Sequence, residues 1–103
     1  MKKVNKAIEI LDALNVKDLV AYDFDKKSPF YDYFIVATVN DRQSTAAFNH
    51  FKKEEIFDLK NVEGKNSGWT LIDLGDIIVH LFSEEDRKYY DFDTRLLGVK
   101  KIY

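Results

Sequence analysis

Residues 68–82, "GWTLIDLGDIIVHLF", decide the fold of this chain. The stretch holds the only tryptophan, and two arms rich in aliphatic and β-branched residues flank Gly75. Such residues favour β-strands, and glycine supplies the positive φ that a tight turn requires. The pattern therefore predicts two antiparallel strands that fold back on each other at Leu74-Gly75.

Period-two counting divides this hairpin into two rows. The apolar row predicts core beneath a helix and comprises Thr70, Ile72, Leu74, Ile77, Val79 and Leu81. The other row, here called the mixed face, comprises Trp69, Leu71, Asp73, Asp76, Ile78, His80 and Phe82. Burying the mixed face costs charge desolvation, whereas leaving it bare exposes an apolar patch to water. Two interpretations stay open: a helix or the C-terminal tail of the same chain covers this face, or a partner with apolar area and basic side chains does.

The first half of the chain shows one helical pattern and two strand patterns. Apolar residues at helical spacing predict a helix over residues 2–14. The alternating "KDLVAYDFD" at 17–25 predicts a first strand. The nearly continuous apolar run "YDYFIVATV" at 31–39 predicts a central strand that is covered on both faces.

Two further helices and a parallel crossover are expected. "NDRQSTAAFNHFKKEEIF" predicts a second helix with Asn40 or Asp41 as its N-cap, followed by a polar link over 60–68 and a return to a strand. "SEEDRKYYDF" predicts a short third helix capped by Ser83. The expected fold class is therefore α/β: a single domain over residues 1–103 with a mixed β-sheet and helices packed mainly on one side.

Composition narrows the classes of function. The chain has 103 residues and no cysteine, which excludes disulfides and thiolate chemistry. No apolar run is long enough for a signal peptide or a membrane span, so we expect a soluble cytoplasmic protein. The net charge of −2 offers no general attraction to nucleic acid. The charge pattern leaves two interpretations open, a solvated acidic surface or a zone that favours a basic protein partner over a phosphate backbone. This acidic zone comprises Asp73, Asp76, Glu84, Glu85, Asp86, Asp91 and Asp93.

The chemistry-bearing residues do not form a catalytic pattern. Asp73 and Asp76 flank a turn instead of lying at i and i+2 on the same strand, which is poor spacing for a metal clamp. A single histidine on a strand, His80, is more typical of a structural hydrogen-bonding group than of a catalyst. No glycine-rich phosphate loop and no nucleophile elbow is present. The sequence predicts no catalytic, metal or cofactor residues and a protein that is not an enzyme.

Several motifs together resemble the ribosomal silencing factor family, also called Iojap-like. They are "DYFIVAT" at 32–38, "DRQS" at 41–44, "VEG" at 62–64, the hairpin at 68–82 and "YYDFD" at 89–93. The tail "FDTRLLGVKKIY" departs from the family, which usually closes on an aromatic residue soon after Leu96. The resemblance implies a nucleotidyltransferase-like α/β fold without the catalytic carboxylates.

The resemblance also implies a function. Family members bind the large ribosomal subunit through its fourteenth protein, at the face that meets the small subunit. Occupying that face blocks subunit association and represses translation, and limits ribosome biogenesis, when nutrients run short. Adjacent ribosomal RNA is a further expected contact, and family members are often homodimers when free. Alternatives that stay open are a role in large-subunit assembly, a small nucleotidyltransferase-like nucleotide-binding protein, and a homodimeric scaffold for an unrelated partner.

Matching the family motifs position by position gives the expected contact residues. The resemblance implies partner binding by Trp69, Leu71, Asp73, Asp76, His80, Tyr90 and Asp91. In physical terms, Trp69 is expected to be the apolar anchor and Leu71 to seal the contact around it. Asp73 and Asp76 are expected to accept hydrogen bonds from basic side chains of the ribosomal protein.

Overall fold

The computed structural model shows an α/β fold built on one mixed, six-stranded sheet. It describes residues 2–24, 32–54, 56–57, 61–63, 69–90 and 100–103. In chain order the elements are α1 (Lys2–Ala13), β1 (Lys17–Asp23), β2 (Tyr33–Thr38), α2 (Asp41–Lys53), β3 (Asn61–Glu63), β4 (Trp69–Asp73), β5 (Ile77–Phe82), α3 (Glu84–Tyr90) and β6 (Lys100–Lys101). The predicted fold class is confirmed.

The strand order is β3-β4-β5-β2-β1-β6, which places β2 and β5 at the centre. These two strands pair in parallel, and every other neighbouring pair is antiparallel. From β2 the chain passes through α2 to β3 at the far edge and returns through β4 to β5. The predicted parallel crossover is wrong for the strand that follows the polar link: β4 pairs antiparallel with β5 and therefore runs opposite to β2, whose parallel neighbour is β5.

Two short edge strands lie where the sequence analysis expected none. The predicted polar link contains β3, which pairs with β4, and the C-terminal residues contain β6, which pairs with β1. Strands of three and two residues are too short to show an alternating pattern. Both β3 and β6 are determined by backbone pairing to a neighbouring strand. That pairing leaves no local pattern in the sequence.

One face of the sheet carries the main core. Helices α1 and α2 contribute Val4, Ala7, Leu11, Ala47 and Phe51, all of which are fully buried. The apolar row of the hairpin lies beneath them, as predicted, and Ile72, Leu74, Ile77, Val79 and Leu81 are at most 1% exposed. Thr70 is the polar member of this row, and its hydroxyl shares a hydrogen bond of 3.1 Å with the hydroxyl of Ser44 on α2.

The start of α2 is fixed by a reciprocal pair of hydrogen bonds. The Asn40 side chain accepts from the Gln43 N–H at 2.8 Å, and the Gln43 side chain accepts from the Asn40 N–H at 3.0 Å. This capping box confirms Asn40, not Asp41, as the N-cap. The Gln43 amide also donates to the carbonyls of Leu14 and Asn15, at 2.9 and 3.0 Å, and so ties α2 to the end of α1.

The opposite face of the sheet holds a second, smaller cluster. Tyr22, Phe34, Val36 and Phe82 are buried there, each at most 5% exposed. Helix α3 begins after Ser83, whose hydroxyl accepts from the Asp86 N–H at 3.2 Å, as the predicted cap requires. Arg87 on α3 donates to the carbonyl of Asp18 at 3.1 Å and to the hydroxyl of Thr38 at 3.3 Å. These contacts attach α3 to the ends of β1 and β2.

Candidate partner-binding surface

The hairpin register brings several predicted contact residues into one ladder. Leu71 stands opposite His80, and Asp73 stands opposite Ile78. Trp69, the first residue of β4, pairs with Phe82. The antiparallel register therefore agrees with the rows that period-two counting assigned, and it sets the acidic end of the ladder at the turn.

A network of backbone hydrogen bonds holds the hairpin turn. Gly75 has a φ of +93°, and its N–H donates to the Asp73 side chain at 2.9 Å. The Asp76 carbonyl accepts from the N–H groups of Asp32 and Tyr33, at 2.8 and 3.0 Å. The turn is thus joined to the start of β2, and Asp73 and Asp76 lie on a backbone with little freedom to move.

Negative charge is concentrated at this end of the sheet. Partial burial, followed by the negative charges of Asp23, Asp32 and Asp76, raises the pKa of the Tyr33 hydroxyl. The three carboxylates come from β1, from the residue before β2 and from the hairpin turn. Their combined effect on one hydroxyl shows that they act on a common region, which favours a cationic partner.

His80 lies in an aromatic stack. Its ring centroid is 4.4 Å from that of Phe34 and 5.7 Å from that of Phe82, with interplanar angles of 20° and 22°. Burial lowers the pKa of His80 to about 4, because the charged imidazolium is poorly solvated there. The side chain is therefore neutral at pH 7 and contributes ring surface instead of positive charge.

Burial divides the mixed face into two parts. Phe82 is only 3% exposed and belongs to the second cluster. Around the turn, by contrast, the side chains are only partly buried, and they comprise Leu71, Asp73, Asp76, Ile78 and His80. We call these five residues the hairpin band. The band combines apolar area with two carboxylates and a neutral imidazole, and protein interfaces likewise join an apolar core to a polar rim.

The remaining predicted residues lie elsewhere. Tyr90 is the last residue of α3 and stands outside the hairpin ladder, and Asp91 lies outside the described residues. The sequence analysis did not single out Arg87 and missed its attachment of α3 to the sheet. The sequence offered one indication of a role for Arg87: it is a basic residue directly after three acidic ones, in "EEDR".

Neither a metal-binding cluster nor a membrane-spanning helix occurs among the described residues. Within the described residues, no group of three or more histidine, cysteine or acidic side chains is arranged to hold a metal ion. No helix in that same part of the chain is long and apolar enough to cross a membrane.

Comparison with solved structures gives two close matches across the whole fold. A crystal structure of a protein from Chromobacterium violaceum superposes with a TM-score of 0.81 at 34% identity, covering 100% of this chain and 90% of that chain. A crystal structure from Bacillus halodurans also gives a TM-score of 0.81, at 26% identity, covering 99% of this chain and 97% of that one.

Sequence comparison points to one family. The family model for ribosomal silencing factor during starvation matches residues 1–96. The ribosomal silencing factor of Chromobacterium violaceum is 36% identical over 102 residues, which span 94% of this chain and 84% of the relative. That of Bacillus subtilis is 33% identical over 87 residues, which span 80% of this chain and 74% of the relative. This chain belongs to the ribosomal silencing factor family.

Proposed function

We propose that this protein represses translation in the cytoplasm by binding the large ribosomal subunit and sterically blocking its association with the small subunit. The contact is with the subunit's fourteenth protein and adjacent ribosomal RNA, and the setting is nutrient limitation. A steric block requires no catalysis, because a bound protein excludes a competitor according to relative affinity and concentration.

The hairpin band is the observation that carries this proposal. Leu71, Ile78 and His80 offer apolar and ring surface, and Asp73 and Asp76 place carboxylates beside it. Hydrogen bonds from Gly75 to Asp73 and from β2 to Asp76 hold this arrangement before any partner arrives. A preorganised surface loses little conformational entropy on binding, which favours tight association.

The proposed roles follow from position and chemistry. Trp69, at the start of β4, is the apolar anchor, and Leu71 excludes water around it. Asp73 and Asp76 accept hydrogen bonds from lysine or arginine of the ribosomal protein. His80 supports the band as a neutral ring, and Tyr90 and Asp91 extend the contact from α3. When free, a second copy covers the same band, which gives the homodimer.

Co-sedimentation with purified large subunits tests the proposal. Asp73→Asn combined with Asp76→Asn removes two charges, while the amide oxygen introduced at position 73 still accepts from the Gly75 N–H and preserves the turn. Hydrogen bonds to charged groups contribute about 1.5–3 kcal/mol each, so we expect at least a roughly tenfold loss of affinity. Leu71→Ala, which truncates the apolar seal, is expected to weaken binding as well.

A matched control is available on α1, in the helix layer across the sheet. Glu9→Gln combined with Asp12→Asn makes the same change in net charge at exposed positions. Glu9 forms a solvent-accessible ion pair with Lys6 at 3.9 Å, and such pairs contribute little, so stability should change little. Equal affinity of the two double variants for the large subunit, or no binding by the wild-type protein, would contradict the proposal.

A role in assembly of the large subunit is the second candidate. One relative, from Mus musculus, is named mitochondrial assembly of ribosomal large subunit protein 1, and it is 21% identical over 98 residues. The two functions differ in timing, because an assembly factor acts on precursor particles. Depletion of the protein distinguishes them: accumulation of incomplete large subunits during rapid growth supports assembly, whereas normal subunits that associate too readily in starved cells support silencing.

A further inference from the structure

The first turn of α1 and the last turn of α2 lie towards the hairpin-turn end of the sheet. Gln43 joins the start of α2 to the carbonyls that follow α1, so these two helix ends meet at the opposite end, where Lys17 of β1 pairs with Thr38 of β2. From there both helices extend back over the main core. Strand β3, which follows α2, begins at Asn61 opposite Asp73, next to the turn.

Basic side chains gather at these two helix ends. We call them together the basic helix end, and its members are Lys2, Lys3, Lys6, His50, Lys52 and Lys53. All six are exposed or half-buried. Asn49 and the three basic residues of α2 line a cavity of about 530 Å³. The fold therefore brings together cations from two helices that are far apart in the sequence.

Acidic residues offset only part of this charge. Glu9 forms a solvent-accessible ion pair with Lys6 at 3.9 Å, and the half-buried Glu54 is the C-cap of α2. At the turn, burial and then three carboxylates raise the pKa of the Tyr33 hydroxyl, and no lysine of the basic helix end acts on it in opposition. The lysines are therefore separate from the acidic region around the turn.

Helix stability explains the basic residues of α2 but not those of α1. A helix carries partial positive charge at its N-terminus and partial negative charge at its C-terminus. Lys52 and Lys53 lie in the last turn of α2, where cations are stabilising. Lys2 and Lys3 lie in the first turn of α1, which contains no acidic residue, and cations there are destabilising. This placement points to a role for the α1 lysines outside the helix.

The composition of this surface favours RNA over a protein or a membrane. The apolar faces of both helices are occupied by the core, with Val4, Ala7 and Phe51 fully buried, and Tyr103 is the only exposed large hydrophobic residue in the described part of the chain. Protein interfaces have apolar centres and are depleted in lysine, and a helix on a membrane surface requires an apolar face. Contacts to a phosphate backbone require only exposed cations.

We propose that the basic helix end binds the phosphate backbone of RNA, and that it does so independently of the hairpin band. The ammonium groups of both helices neutralise phosphates, and release of the counterions from the RNA supplies the binding free energy. Asn49 and His50 line the cavity and offer side-chain N–H donors to phosphate or ribose oxygens. The net charge of −2 conceals this surface, because it averages the charge over the whole chain.

Fluorescence anisotropy with a short labelled RNA duplex tests the proposal. Lys52→Gln combined with Lys53→Gln removes two phosphate contacts, so at low salt we expect the affinity for RNA to fall about tenfold or more. The slope of log K against log salt should become shallower by about two. Lys17→Gln combined with Lys101→Gln is the matched control, because it removes the same charge at exposed positions of β1 and β6 and should leave affinity unchanged.

The α1 lysines give a result that unfolding cannot imitate. Lys2→Gln combined with Lys3→Gln should also weaken RNA binding, yet its thermal midpoint should stay equal or rise, because two cations leave the N-terminus of a helix. Lys52→Arg combined with Lys53→Arg keeps both charges and should keep wild-type affinity.

The same experiment contains the results that would overturn the proposal. They are a wild-type protein that does not bind the duplex at about 50 mM salt, and an equal loss of affinity in the Lys17, Lys101 control. Polyglutamate that displaces the protein as effectively as unlabelled RNA of equal charge would show that the surface fits an acidic protein instead.

The hairpin band provides the last arm. Asp73→Asn combined with Asp76→Asn should bind RNA at least as tightly as the wild-type protein, and weaker binding would contradict the independence of the two surfaces. Because the probe is isolated RNA, the outcome does not depend on whether the protein binds the large ribosomal subunit.

Discussion

The stack of His80 between Phe34 and Phe82 makes one ionisable residue important for stability. Burial holds the folded-state pKa at about 4, below the ordinary value of 6.5. The unfolded chain therefore binds a proton more readily than the folded protein, and protonation favours unfolding. The contribution of neutral His80 is fully present above pH 6.5 and is lost as the pH falls towards 4.

A pH series of urea unfolding tests this linkage. Between about pH 7 and pH 4, His80 should lower the free energy of unfolding of the wild-type protein by about 3 kcal/mol, from the size of the pKa shift. His80→Phe keeps an aromatic ring in the stack and lacks the titrating group. The difference in free energy of unfolding between the wild-type and His80→Phe proteins should grow as the pH falls from 7 to 4. A difference that stays constant over this range would contradict the lowered pKa of His80.

Gly75 is the second residue on which the hairpin depends. Its φ of +93° is unfavourable for any residue with a Cβ, yet no atom lies within 4 Å of the position that a Cβ would occupy. Gly75→Ala should therefore destabilise the protein by about 1–2 kcal/mol through backbone strain alone, without a steric clash. Thermal unfolding measures the cost, and an unchanged midpoint would show that the turn adopts another conformation.

At the scale of the elements, Gln43 connects two helices. Its side-chain oxygen completes the α2 capping box, and its side-chain amide donates to the carbonyls of Leu14 and Asn15, directly after the end of α1. The sequence motif "NDRQ" narrowed the N-cap to Asn40 or Asp41, and the reciprocal bonds with Gln43 identify Asn40. It could not reveal the bonds to Leu14 and Asn15, because those partners are distant in sequence.

Three substitutions separate the two roles of this glutamine. Asn40→Ala removes one capping bond and should cost about 1 kcal/mol. Gln43→Ala removes the reciprocal bond and both bonds to α1, and should cost about 2 kcal/mol. Gln43→Glu keeps the capping acceptor but loses the amide donors, so its cost measures the tie to α1. Equal free energies of unfolding for Gln43→Glu and the wild-type protein would show that this tie contributes nothing.

Local patterns predicted the helices and the four longer strands. The β4–β5 hairpin was predictable because two alternating arms and one glycine determine both its turn and its rows. The short strands β3 and β6 were not, because an edge strand of two or three residues depends on an existing neighbour. The central pairing of β2 with β5 was missed for a related reason: local spacing did not reveal the unpredicted strand β3, and without it neither the direction of β4 nor the order of strands could be read.

At the scale of the whole molecule, negative charge is concentrated in one region of the structure. The net charge is only −2, but the region around the hairpin turn gathers Asp23, Asp32 and Asp76. The sequence indicated this acidic zone through composition, and the fold added Asp23 and Asp32, which are far from the hairpin in sequence. The extent to which the hairpin band contacts a partner remains a prediction that the binding experiments address.

The acidic region around the turn predicts that binding to the large subunit depends on ionic strength. If carboxylates around the turn attract a basic protein, affinity for the large subunit should fall as salt is raised from about 50 to about 300 mM. The Asp73→Asn, Asp76→Asn double variant should respond less steeply, and the two proteins should converge at high salt. Parallel salt dependences would show that the turn carboxylates are not part of the contact.

The parallel pairing at the centre of the sheet has a consequence for biosynthesis. Strand β2 aligns with β5, which lies more than forty residues later in the chain. A growing polypeptide that has emerged only as far as α2 holds β1, β2 and two helices, yet it lacks the strand that completes their core. The sheet can close only after residue 82 has left the exit tunnel, so the nascent chain that ends at α2 should not fold stably on its own. The core beneath α1 and α2 therefore forms only once β5 is available to pair with β2.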